Sequence, residues 1–443
     1  MVKGTATARL PPGTVVRRLS AEDLSILALE NETVAGHTCK VIVLGGQIDL
    51  DRLRDSIGSR LDRAPELSMR LCEVDGEPSW VRDPGVDIRA HVALCEIAKP
   101  PDEAGFRIAV ARVFEKRLDR SRPLWRIDVI PELRGGGSAL IWCIHHALAD
   151  GFTAMRMARG MLWDEEPITD ARIANSQKRL TTNKETEPVA HHRLEALRAA
   201  AREAPQLWLR SPFDGHIGAQ RSVAFATVEL EGLQRVAAAT GGATVNDAVL
   251  SVVAGGLQRW LELHHGHLGS VRVKVPVSLH GPSAKPAREG AEPGNRDSFF
   301  CLDLPLGATD PLARLTAIRR ATRVRKRGHD AQHLDALMRD LARTPRLRRF
   351  AERVLAHPRS FALNVSNVHG PREPVHVLGV PVRALYSLAE IRELHALRIA
   401  AVSLGDTLTF GLVADPTLVA DVDNLATGIQ AEAAALIAHH QLS

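Results

Sequence analysis

The chain has 443 residues, of which 45% are hydrophobic and 25% charged, a composition that excludes disordered, collagenous and coiled-coil classes. At about 150 residues per domain, two or three domains are expected, long enough to bury a large core without staples. Lys plus Arg exceed Asp plus Glu by 57 to 52, a net charge of +5, which gives no case for nucleic acid and permits only weak attraction to an acidic surface.

The first twenty residues lack the apolar core of a signal peptide, and no later stretch approaches the ~18 uninterrupted apolar residues of a membrane span. Any membrane contact is therefore expected to be peripheral. Val41 to Leu44 reads as a strand. Leu53, Ile57 and Leu61, four apart, place a helix over 50–61 with Asp49 as its N-cap. Ala139 to Ile144 (ALIWCI) follows a Gly135-Gly136-Gly137 turn and reads as a strand buried on both faces. Phe152 to Met161 reads as the next helix. The segment 164–188 is charged and poor in large apolar residues, so it is assigned as a linker. A helix with Leu194 and Leu197 follows, stopped by Pro205.

The second block runs from about Val223. Thr244-Val245-Asn246-Asp247 opens a helix with Val249, Val252, Val253, Leu257 and Trp260 on its apolar face. Leu334, Leu337, Met338 and Leu341 form another helical stripe. A basic run follows over 343–355, including Arg343, Arg346, Arg348, Arg349 and Arg353. That run could rest on anionic lipid headgroups or be a solvated face. The five cysteines (Cys39, Cys72, Cys95, Cys143, Cys301) show no CxxC spacing, so neither a disulfide framework nor a zinc site is expected, and a reducing cytosol fits.

His145-His146-Ala147-Leu148-Ala149-Asp150-Gly151 follows directly on the buried strand, which places it at a strand-to-helix turn. Side chains alternate along a strand, so the two histidines point to opposite sides and one at most serves a given cavity. The other is expected to be held in packing and bonded to backbone. Asp150 is near enough to bond a ring or brace the loop, and Gly151 allows a close approach that a Cβ would forbid. The pairs His191-His192, His264-His265 and His439-His440 follow no buried strand and have no Asp-Gly behind them. A metal needs three or four ligands and at most one His and one Asp converge here, so none is expected. Thr244 with Asp247 has capping-box spacing, and a helix N-terminus there could also face an oxyanion through Asn246. Pro123-Leu124-Trp125 reads as packing, and Ser366-Asn367 before Gly370-Pro371 as a turn.

These motifs together resemble the bacterial wax ester synthase/acyl-CoA:diacylglycerol acyltransferases, within the superfamily of CoA-dependent acyltransferases and condensation domains. HHALADG is similar to the family's HHxxxDG, and Arg122-Pro123-Leu124-Trp125 to its PLW element. Thr244-Val245-Asn246-Asp247, Val275-Pro276-Val277-Ser278, Gly294-Asn295 and the stretch Asn364 to Pro371 resemble further family motifs, in family order from about Leu19 to the end. His369 stands where the family usually has proline, and Ser403-Leu404-Gly405 lacks an aromatic often found there.

The resemblance implies an α/β protein of two chloramphenicol-acetyltransferase-like domains, each a mixed sheet with helices, at 1–163 and 211–443, joined by 164–210 and enclosing a tunnel. It implies transfer of a fatty acyl group from acyl-CoA to diacylglycerol or a long-chain alcohol, with His146 as general base and no acyl-enzyme. Asp150 would hold the loop, with a proton-carrying role as the alternative. Asn246, Asp247, Asn295, Ser366, Asn367 and the Pro123-Leu124-Trp125 element would support the site or line the channel. Acyl-CoA is implied as co-substrate with no tightly bound cofactor, and a lipid-droplet or inner-membrane surface as a peripheral partner. A condensation-type enzyme using a carrier-bound donor and an inactive lipid-binding protein are the alternatives.

Overall fold

A computed structural model describes residues 6–7, 14–164, 211–278, 297–327 and 360–441. The expected linker and helix over 165–210, the stripe and basic run over 334–355, and Asn295 lie outside the described residues.

The first large sheet is built on β3 (His37–Leu44) and β8 (Ser138–His145), which pair antiparallel from His37 opposite His145 to Leu44 opposite Ser138. All eight residues of β8 are buried, as the apolar run predicts. Ala139, Ile141 and Cys143 belong to a core shared with the second half of the chain, whereas Leu140, Trp142 and Ile144 belong to the core of the first half. Burial of each large apolar side chain contributes roughly 1.5–3 kcal/mol, which fixes the end of this strand firmly. β7 (Trp125–Ile130) and β6 (Val92–Leu94) continue the sheet on one side.

On the other side lie β14 (Val380–Ala389) and β13 (His376–Val377), which come from the second half of the chain. β14 pairs antiparallel with β3, Ser387 opposite Lys40. A smaller four-stranded sheet, β1 (Ala6–Thr7), β4 (Met69–Val74), β5 (Glu77–Arg82) and β2 (Val16–Arg18), flanks this half.

The helices of the first half are α1 (Ala21–Ala28), α2 (Leu50–Arg60), the single turn α3 (Ile88–His91), α4 (Glu103–Glu115) and α5 (Gly151–Met161). Asp49 caps α2 as its sequence suggests, its carboxylate accepting from the Arg52 N–H at 2.7 Å.

The second large sheet has the order β11 (Asp297–Pro305), β10 (Ser270–Ser278), β12 (Leu363–Val368), β15 (Leu397–Leu404), β16 (Thr407–Ala414) and β9 (Ser222–Glu229). β10, β12 and β15 run parallel and the others antiparallel. One face is covered by α6 (Leu230–Ala239), α7 (Val245–His264), α8 (Pro311–Arg327) and α9 (Val422–Gln441). The molecule is thus mixed α/β with two sheet-rich halves. The two sheets meet where β16 crosses β14. Gly411 is required there, because a Cβ would run into the Ser387 carbonyl.

Candidate active site

β8 ends at His145 and α5 begins at Gly151, so the five residues between them form a tight, internally bonded turn. Leu148 and Ala149 donate their N–H groups to the His145 carbonyl at 2.9 and 3.2 Å. Asp150 is the N-cap of α5, accepting from the Thr153 N–H at 2.7 Å through one oxygen, and it is 1% exposed. Its observed contact is that of a brace for the loop.

His146 is the one residue from Ser138 to Asp150 that is not fully buried. Its N–H donates to the Gly36 carbonyl at 2.9 Å. Burial, followed by the positive charge of Arg398, pushes its imidazole down to about 3. The ring is therefore neutral near pH 7. Its own backbone carbonyl opposes that shift without outweighing it.

His145 faces the opposite way and is 1% exposed. It is packed and bonded to backbone, and in addition its Nε2 lies 2.6 Å from Glu30 Oε1. Its Nδ1 accepts the Ala147 N–H at 3.1 Å, so Nε2 carries the proton and donates to the carboxylate. Arg120 pairs with the same carboxylate at 2.9 Å. The opposing effect of burial is overcome by His145 and Arg120, which together hold the Glu30 carboxyl below its ordinary range. Gly36, at φ +75°, fits between these groups, where a Cβ would lie 2.8 Å from both Glu30 Cγ and His145 Nε2.

The second half supplies the opposing wall. At Gly151 a Cβ would lie 2.9 Å from Val368 Cγ2, so the start of α5 rests on the end of β12. Val368, Ser366 and Asn364 pair with Val402, Ala400 and Arg398, and Asn364 also pairs with Lys274. Directly paired residues share a sheet face. Val402 is buried in the core of the first half and Val368 packs against it, so this row faces the histidine turn. Ser366 stands in the row; Asn367, adjacent on the strand, points to the other face.

The remaining candidates occupy supporting positions. Trp125 is 2% exposed, donates its indole N–H to the Leu67 carbonyl at 2.8 Å and stacks on His91 at 4.3 Å. The Leu124 carbonyl accepts the His145 N–H at 2.9 Å, and Pro123 forms a bridge to Arg70. This element steadies the strand that carries the histidines. Thr244 and Asp247 form a capping box at α7, and Asp247 also accepts from the Thr322 hydroxyl at 2.6 Å. Asn246 is part-exposed in the first turn of the same helix. Among the described residues no group of three or more His, Cys, Asp or Glu is placed to hold a metal ion.

Glu30, Gly36 and Arg398 are site residues that the sequence does not reveal. The signals are slight: a polar stretch after α1, one glycine before an apolar strand, and an arginine in a mixed segment.

Residues 19–206 match the family model of the wax ester synthase/diacylglycerol acyltransferase catalytic domain, and residues 293–436 that of the family's C-terminal domain. A probable diacylglycerol O-acyltransferase of Mycobacterium tuberculosis, tgs1, is 28% identical over 425 residues, covering 90% of each chain. Among solved structures, a wax ester synthase/diacylglycerol acyltransferase from Marinobacter aquaeolei VT8 superposes with a TM-score of 0.70 at 21% identity, covering 96% of this chain and all of that one. The starter condensation domain of rhizomide synthetase, in complex with C8-CoA and Leu-SNAC, superposes at 0.58 and 14% identity, covering 95% and 94%. Both show a shared fold.

Proposed function

The chain belongs to the wax ester synthase/diacylglycerol acyltransferase family, and from that premise we propose that it moves a fatty acyl group from acyl-CoA to the hydroxyl of a lipid alcohol. The acceptors are diacylglycerol, giving triacylglycerol, and long-chain alcohols, giving wax esters. One observation carries the reading: a neutral His146, the one residue of its turn that is not fully buried, opposite the wall of the second half.

An alcohol is a poor nucleophile near neutral pH because so little of it is ionised. The His146 imidazole takes the hydroxyl proton as the oxygen attacks the thioester carbonyl carbon. The tetrahedral oxyanion then collapses, the carbon–sulfur bond breaks, and the departing CoA thiolate receives the proton from the imidazolium. Oxygen has replaced sulfur on the acyl group and no acyl-enzyme forms. Such a base is worth roughly 10² to 10⁴ in rate. Asp150, His145 and Gly36 hold the turn and carry no proton in this scheme.

Both organic substrates are lipids, so we place the working enzyme at a membrane or droplet surface. No helix among the described residues is long and apolar enough to cross a membrane, and the contact we propose is peripheral. Purified protein given labelled palmitoyl-CoA with diacylglycerol and hexadecanol in separate reactions tests the assignment. Labelled triacylglycerol or wax ester, with stoichiometric CoA release, supports it. Absence of ester with either acceptor refutes it, and turnover only from an acyl-carrier protein would assign the chain to condensation-type chemistry.

A further inference from the structure

Beside His146 the second half encloses a small cavity walled by Lys274, Asn364, Glu390, Arg392, His395 and Arg398. The backbone ties the two together. The His146 N–H donates to the Gly36 carbonyl at 2.9 Å, and the N–H of the residue before it, Ala35, donates to the Glu390 carboxylate at 3.2 Å. Asn364 and Arg398 stand in the strand row that faces the histidine turn.

Three of the wall residues are cations. The one carboxylate, Glu390, is already engaged by Arg221 at 2.8 Å, and His395 is held neutral, pushed down to about 4 by burial. Burial lowers the Arg392 guanidinium from its ordinary value with no carboxylate opposing. Arg398 is fixed in place by its Nη1, which donates to the Glu390 backbone carbonyl at 3.1 Å. Lys274 Nζ lies over the Phe299 ring, 3.8 Å from its centroid. An excess of positive charge away from water is costly, and folds keep such costs at functional sites.

We propose that this cavity is the oxyanion site of the acyl transfer, with Arg398 as its principal ligand and Arg392 and Lys274 completing the positive wall. This rests on the acyl-transfer reading above and names the groups that receive the charge on the reacting carbonyl oxygen. The cavity volume is about 20 Å³, room for about one water, so a single oxygen enters it and a phosphate group does not. As the alcohol oxygen bonds to the thioester carbon, the carbonyl π pair moves onto the carbonyl oxygen. When the carbon–sulfur bond breaks, that pair re-forms the double bond. Cations fixed beforehand at this oxygen stabilise the transition state without reorganising.

The same placement answers a difficulty at the base. Arg398, and after it Arg392, disfavours a proton on the His146 ring before reaction, which keeps the ring neutral but makes it a weak base. An oxyanion between the ring and Arg398 cancels that repulsion, so the imidazole gains basicity as the carbon–oxygen bond forms. Base and oxyanion site are coupled in this way.

The test compares wild type, Arg398→Met and Arg398→Lys on palmitoyl-CoA and on palmitoyl-pantetheine, which lacks phosphate, with thermal unfolding as the check on folding. It also measures binding of a trifluoromethyl ketone analogue of palmitoyl-CoA, whose hydrate ionises to a tetrahedral oxyanion. In Arg398→Met kcat should fall about 10²- to 10³-fold, the range for one lost oxyanion donor, equally on both donors and with KM kept. The analogue should bind weaker by a similar factor while palmitoyl-CoA binds as to wild type. Arg398→Lys keeps the charge without the fixed guanidinium fork and should lie between the two. Should Arg398→Met not fold, Arg392→Met repeats the comparison and should shift kcat and analogue binding in the same direction. Analogue binding equal to wild type would overturn the site, whatever kcat does. A rise in KM for palmitoyl-CoA alone would assign the cations to a phosphate of the donor and overturn it too. If wild type makes ester from neither donor, the acyl-transfer reading fails and the oxyanion site falls with it.

Discussion

Glu30 and His145 lie 115 residues apart in the chain, yet the Oε1 of one is 2.6 Å from the Nε2 of the other. The pair holds the first histidine of the motif rigid, and the next residue is the base. Glu30→Ala leaves a buried N–H without its acceptor and should cost about 2–3 kcal/mol in urea unfolding, with reduced turnover. Glu30→Gln keeps an acceptor and should recover most of the stability. Equal unfolding midpoints for Glu30→Ala and wild type would show that the pair contributes nothing.

The contact between Gly151 and Val368 joins the start of α5 to the wall of the second half. A methyl at Gly151 has to displace Val368, so Gly151→Ala should lower turnover several-fold. Val368→Ala makes room for that methyl, and the double variant should regain activity over Gly151→Ala alone. Purely additive losses in kcat/KM would place the two residues out of contact during catalysis.

Among the described residues burial pushes His37 and His146 down to about 3 and His395 to about 4, against an ordinary 6.5, and lowers His91 as well. Between these values the unfolded chain binds more protons than the native one. Stability is thus complete above about pH 6.5 and falls as pH drops toward 4, by roughly 1.4 kcal/mol per pH unit for each such group. Urea midpoints at pH 7 and pH 5 should differ accordingly, with a smaller difference in His37→Gln. For the same reason kcat/KM should show no acid limb at the ordinary histidine pKa. A limb near 6.5 would contradict the environment assigned to His146.

Thr244 and Asp247 cap α7, and Asp247 ties that cap to Thr322 on α8. Thr244→Ala should cost about 1 kcal/mol in denaturant unfolding while KM for acyl-CoA stays constant. A large fall in kcat without loss of stability would instead assign this turn a direct part in the chemistry.

The elements closest to the site were legible because they are local. ALIWCI is apolar without a break behind a glycine turn and reads as a strand covered on both faces. Asp49 and the four-residue spacing of Leu53 and Ile57 define α2, and Thr244 with Asp247 gives the capping box. Whatever depends on distant pairing was hidden. β14 was not read from the sequence, and nothing local says that Ser387 lies opposite Lys40 in the sheet of the other half. Lys40, 1% exposed, interrupts an apolar strand and finds the Ser387 hydroxyl at 2.6 Å. Glu30 sits in an ordinary polar stretch, and Arg398 gains meaning only when β15 pairs with β12 and sets it in the row with Ser366 and Val368. In the motif itself, strand alternation separates the roles of the two histidines, but the acid that holds the first comes from another element.

The central claim is that His146 accepts the acceptor's proton, and single-turnover CoA release by His146→Ala against wild type tests it most directly, alongside palmitoyl-CoA binding by both proteins. The account predicts a fall of roughly 10² to 10⁴ in rate with binding retained. CoA release at the wild-type rate from the His146→Ala protein would contradict it.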